Sequence, residues 1–313
     1  MTAAMTDSHS APTPGGVHAA RAGLDRMIAV RRPAGRDLTE IDSLLDLSSG
    51  LWMWLAGANV IMQLANPAVG YGVLESRVER GRADTHPVKR ARTTALYLAV
   101  ATIGNDDDKE FMHREVKRIH DEVFSTSTSP VRYSGNSREL QLWVALCLIR
   151  FFVDQYELLY RELDAAEREH VLTLASPLAT VLNVPEEDWP ATWAEYEERF
   201  DAGMADAEID DPVRQMLDDL CAFRILDGKF RGAGDLARRA LGPTNHSYTR
   251  FGVPASTREQ MNWEITPADL RRKRRMNAVA RAADKVLPMP LKKMYTLALW
   301  DMRIRRRLGV SVF

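Results

Sequence analysis

Cysteine is scarce: the 313 residues hold two, Cys147 and Cys221. Two thiols cannot build a disulfide framework, and both stand among apolar, helix-like neighbours, so they read as buried thiols. An excess of charge of one sign is missing too. Lys+Arg number 42 against Asp+Glu 43, a formal net charge of −1, which argues against nonspecific nucleic-acid binding as the main role. Long apolar runs are absent. The richest, Leu51 to Ala65, contains Asn59 and Gln63 and is too short and too polar to span a membrane. Residues 1–20 have no apolar segment, so no secretory signal is expected, residues 1–35 read as a disordered tail, and the expected location is cytoplasmic. Familiar loop motifs are lacking as well. Gly70-Tyr71-Gly72 has no third glycine and no preceding strand, so it is no dinucleotide loop. No phosphate loop, nucleophile elbow or His-Glu-x-x-His occurs.

Helix punctuation, by contrast, is dense. Asn66-Pro67 supplies a cap and a first-turn proline, and Pro87 opens a helix that runs to Gly104. Asp106 to Asp108 place negative charge where the next helix dipole favours it. Asn136 with Glu139, and Asp164 with Glu167, have capping-box spacing. Met112, Val116, Ile119 and Val123 form one stripe, and Leu140, Trp143, Val144, Cys147, Leu148 and Phe151 a broader one, both with a helical period. Alternating strand-like runs are absent. The sequence predicts an all-α protein of about ten to twelve helices: a domain over 36–265 and a basic, amphipathic helical end over 266–313. The stretch 225–265 reads as loop-rich, a hinge or a lid.

Charge segregates along the chain. Glu186 to Asp211 hold eleven acidic residues and one arginine; Arg271 to Arg307 hold thirteen basic and two acidic. Leu299, Trp300 and other apolar residues interleave with that basic end, which suits an anionic membrane surface over 271–307. A solvated helical face is the plainer alternative.

Histidines offer the candidate chemistry. On a wheel of 100° per residue, His120 falls about 60° from the centre of the Met112–Val123 stripe and His113 about 80°, so His120 can point inward beside the core. Glu110–His113 and Glu167–His170 each have the Glu-x-x-His spacing of a di-iron carboxylate bundle. A di-iron oxidase built on these four residues is one alternative, and a non-catalytic helical lipid-binding protein is another.

Three blocks in order carry a resemblance. The first is Leu55-Ala56-Gly57, Gln63-Leu64-Ala65-Asn66-Pro67 and Gly72-Val73-Leu74-Glu75-Ser76. The second is Pro87-Val88-Lys89-Arg90-Ala91-Arg92-Thr93-Thr94 followed by Tyr97. The third is Arg114 to Val123 with Arg118-Ile119-His120-Asp121, then Tyr133 and Leu140 to Val144. Together they resemble the catalytic domain, long called DUF2236, shared by latex-clearing rubber oxygenases and fungal MpaB-type oxygenases, over roughly residues 45–210.

The resemblance implies a globin-like, multi-helix domain holding one haem b, with His120 as proximal iron ligand. It places Arg92 and Thr93 on the distal side. The family's upstream arginine falls on Lys89, a departure, or one residue further on at Arg90; either would meet a propionate. Glu75 falls near the place of a possible base. The implied reaction is oxidative attack by dioxygen on a carbon–carbon double bond of an apolar, isoprenoid or lipid-like substrate. The residues themselves agree: Lys89, Arg90 and Arg92 open a helix whose Leu96, Val100 and Ile103 continue as an apolar face, and neutral imidazole is a usual haem ligand.

Overall fold

Capping residues set the helix boundaries. The computed structural model describes residues 38–78, 86–286 and 290–312; the tail expected at 1–35 lies outside them. Two 3₁₀ turns, Leu38–Glu40 and Leu44–Leu47, lead into α1 (Trp52–Leu64), α2 (Pro67–Leu74), α3 (Pro87–Ile103), α4 (Asp106–His120) and α5 (Arg138–Leu159). Next come α6 (Ala165–Ala175), α7 (Pro177–Thr180), α8 (Trp193–Ala205), α9 (Asp211–Cys221), α10 (Ala233–Gly252), α11 (Ala255–Gln260), α12 (Pro267–Val286) and α13 (Pro290–Arg307). Among the described residues the only β feature is an isolated antiparallel bridge between Phe124 and Ser134, so the all-α class holds. No described helix is long and apolar enough to cross a membrane.

Asn66 accepts from the amides of Ala68 and Val69 at the start of α2. Asn105–Asp108 and Asp164–Glu167 form complete capping boxes at α4 and α6. The predicted box at Asn136 is displaced by one residue. Ser137 caps α5, while the Asn136 amide donates to the Lys117 carbonyl and to Asp121.

Helix α5 is buried around almost its whole circumference from Trp143 to Leu159, which makes it the central helix. Its buried charges are paired with each other. The Arg150 guanidinium, 1 % exposed, lies 3.0 Å from Asp154 one turn on and stacks over the Phe200 ring. Both cysteines are buried and free, as expected.

The stretch read as loop-rich, 225–265, instead holds α10, twenty residues long with Pro243 inside it. Proline removes one helical hydrogen bond, which hid the helix in the sequence. Packing against α1 overrides that cost. Gly57 permits the approach, since a Cβ there would lie 2.7 Å from Thr249 Oγ1.

Candidate functional site

Only Gly104 and Asn105 separate α3 from α4, so the first turns of α3 lie level with the last turn of α4. Two groups meet there. Arg90 keeps solvent-accessible surface, yet burial lowers its pKa. His120, half-buried, shows the same combination: its imidazole is pushed down to about 4, first by desolvation and then by the positive charge of Arg90. The two side chains are thus near enough to interact electrostatically. At 100° per residue Arg90, Thr94 and Tyr97 fall on one face of α3. Burial raises the Tyr97 phenol, whose hydroxyl donates to the Leu178 carbonyl.

The rear of the imidazole is held by a hairpin. Phe124 and Ser134 bridge, and the Gly135 amide donates to the Val123 carbonyl. This folds Gly135 back on His120, so closely that a Cβ on Gly135 would lie 2.9 Å from the His120 carbonyl oxygen. The Gly135 carbonyl accepts from the imidazole and partly offsets the fall in its pKa. Gln141 locks the arrangement. It is buried, its Nε2 donates to the Gly135 carbonyl at 2.6 Å and lies 3.2 Å from His120 Nδ1, and its Oε1 accepts from the Asn183 amide. Nδ1 is thus the nitrogen engaged with Gln141. A neutral imidazole oriented through one ring nitrogen is the form that can ligate a metal through the other.

Glu75 caps the end of α2, and its Oε2 accepts from Ser129 Oγ at 2.6 Å and Tyr133 OH at 2.8 Å. Desolvation, and then the bond to Glu75, raise the Tyr133 phenol. Glu75 thus ties α2 to the hairpin that carries Gly135. Arg92 turns the other way. It pairs with Asp301 at 3.2 Å and donates to the Val312 carbonyl at 2.8 Å, fastening α3 to α13. Thr93 Oγ1 donates to the Arg90 carbonyl, and Lys89 is half-exposed. The structure therefore brings His120 and Arg90 together and engages Arg92 elsewhere.

The residues of the di-iron alternative do not converge. Glu110 pairs with Arg114. The Glu167 carboxylate is committed to its capping box and to Arg161. His113 Nδ1 lies 2.7 Å from the Leu182 carbonyl and His170 Nε2 2.8 Å from that of Ile41. Among the described residues no three metal-ligating side chains cluster.

Gln141 and Gly135 escaped the sequence reading. The available signal for Gln141 was a lone amide inside the apolar run Leu140 to Ile149.

The depressed His120 pKa has a consequence for stability. The unfolded imidazole takes up its proton near 6.5, whereas the folded one resists until about 4. The unfolded state therefore binds more protons in that window, and the protein loses stability as pH falls through it, by up to about 3 kcal/mol from this group. Urea midpoints at pH 7 and pH 4.5 should differ less in His120→Gln than in the wild type. Equal losses in the two proteins would refute this.

The site sets a neutral imidazole, anchored by Gln141, near the guanidinium of Arg90 in an all-α frame. The chain belongs to the family described as ER-bound oxygenase mpaB/B'/rubber oxygenase, catalytic domain, which matches residues 47–282. It is 42% identical over 258 residues to two proteins, "Uncharacterized protein Rv2237" of Mycobacterium tuberculosis and "Uncharacterized protein Mb2261" of Mycobacterium bovis. Each match covers 82% of this chain and 98% of the relative. No solved structure matches the chain. Family membership makes it an oxygenase-type domain, with dioxygen and an organic substrate as reactants.

Proposed function

We propose that the region beside His120 and Arg90, between α3 and α4, binds haem b and that the protein oxygenates or cleaves a carbon–carbon double bond of an apolar isoprenoid or lipid-like substrate. The observation that supports this reading is the half-buried imidazole of His120, anchored by Gln141, kept neutral by desolvation and lying within electrostatic reach of Arg90. The residues fit the group. His120 stays neutral at pH 7, the form that ligates iron. Neither Arg90 nor Arg92 can ligate, because a guanidinium stays protonated near neutrality, so His120 would be the residue that holds the iron. Arg90, with Lys89 beside it, offers positive charge to the propionates. When bound, haem supplies the dioxygen chemistry; the protein supplies ligation and orientation.

The other residues act on that arrangement. Gln141 and the Gly135 carbonyl hold the imidazole plane. Glu75 braces the hairpin through Ser129 and Tyr133, which we take as its role in place of a base. Arg92 and Thr93 set the position of the first turns of α3, and the distal role expected for them reduces to shaping the site. In this reading residues 36–265 form a globin-like cradle and 266–313 pack on it.

Gln141→Leu removes the donor to Gly135 and leaves that carbonyl shared by the imidazole alone. Haem affinity should fall about 10- to 100-fold, the usual cost of losing an outer partner of a metal ligand, while the helical circular dichroism is retained. Haem release to an excess acceptor protein measures it; an unchanged rate would contradict the role given to Gln141. The activity itself is tested by oxygen uptake with an unsaturated isoprenoid. Carbonyl or hydroxylated products labelled from ¹⁸O₂ are expected. Haem-loaded protein that consumes no oxygen with any unsaturated apolar substrate would overturn the reaction.

A further inference from the structure

Helix α13 is apolar on two opposite faces. Tyr295, Leu299 and Met302 are buried on the side packed against α3. Met294, Leu297, Trp300 and Ile304, with Leu308 just past the helix end, are 41–71 % exposed. At 100° per residue these five lie in one stripe centred about 180° from the buried one. Scattered exposed apolar residues are ordinary; an aligned stripe with a tryptophan at its middle calls for a partner.

The charges beside the stripe indicate which partner. Lys293, within the arc at the start of the helix, and Arg307, at its edge near the end, are exposed, and neither has an ion-pair partner among the described residues, whereas Asp301 in the same arc is paired with Arg92 and Arg305. The neighbouring arginines are differently placed. Arg303 is 2.6 Å from the buried Asp108, Arg305 is 2.8 Å from Asp301, and Arg306 stacks on Phe111. Within the pentad Arg271–Arg275, Lys273 is buried over the Phe251 ring. The basic end is therefore no uniform cationic patch; its free charge on α13 sits where the apolar stripe is.

We infer that the outward stripe of α13 docks on an anionic lipid surface. Leu297, Trp300 and Ile304 enter the headgroup–acyl boundary, and Lys293 and Arg307 meet the headgroups. Apolar residues with tryptophan on one arc and cations within it and at its edge match what an interfacial helix needs. A second copy fits less well. A two-fold antiparallel pairing centred on Trp300 would set Lys293 of each chain beside Arg307 of the other, placing like charges together. Docking does not require the cofactor, so its failure would leave the haem reading untouched.

The test is flotation of the full chain with vesicles of phosphatidylcholine, alone or mixed with phosphatidylglycerol, at low and high salt. The wild type should bind the anionic vesicles and release at high salt. Leu297→Glu with Ile304→Glu should lower the partition coefficient by on the order of a hundredfold, from two apolar side chains withheld from the lipid. Lys293→Glu with Arg307→Glu should lower it by about tenfold or more. Arg274→Glu with Arg275→Glu makes the same charge change on exposed positions of α12 and should leave binding unaltered. Melting curves check that each variant is folded. Absence of wild-type binding at low salt would overturn the inference. So would binding that survives Leu297→Glu with Ile304→Glu, or a solution dimer that this pair dissolves in a protein that ignores vesicles.

Discussion

His120→Ala should yield a folded protein that no longer retains haem. Wild-type protein supplied with haem is expected to show a Soret band at about 400–420 nm, as ligated porphyrin iron gives; in the variant that band should be lost or reduced to the broad absorbance of free haem. The variant removes a half-buried ring, so its stability at pH 7 should change little. Added imidazole should restore the band by occupying the vacated place, which a merely misfolded protein could not do. A His120→Ala protein that binds haem as tightly as the wild type, with the same spectrum, would remove His120 from the site.

The largest structural effect is expected at the centre of α5. Asp154→Ala strands the Arg150 guanidinium, 1 % exposed, without its carboxylate at 3.0 Å. Breaking one side of a buried pair typically costs about 3–5 kcal/mol, on the order of 10 °C in Tm for a domain of this size. Replacing both, Arg150→Met with Asp154→Leu, should recover most of the loss, because the double variant leaves no buried charge unpaired. A Tm for Asp154→Ala within about 2 °C of the wild type would show that Arg150 finds other compensation.

Local chemistry explains which features were legible in the sequence. Asn66 and Asp164 announced helix starts because capping depends on neighbours within one turn, and both cap their helices; Asp106 to Asp108 marked the start of α4 by their charge, with Asn105 as the cap. The apolar stripe of α4 placed His120 at a core edge, where it lies. Gly135 and Gln141 were not legible, since their roles arise when the hairpin after His120 folds back and α5 passes behind it. Long-range engagement likewise decided between Arg90 and Arg92. Both are basic and two residues apart, but Arg92 is drawn off by Asp301 and Val312, far along the chain, and it is Arg90 whose charge reaches His120. Pro243 shows the opposite failure: a local breaker signal was correct in itself and was outweighed by packing of α10 on α1.

The most direct test of the central claim is a titration of purified haem-free, full-length protein with haem, followed by absorbance and by pyridine haemochrome. The account expects saturation at about one haem b per chain, with Arg90→Ala weakening the binding and His120→Ala abolishing the ligated spectrum. No saturable Soret band, together with non-haem iron or an apolar ligand carried through purification, would contradict it.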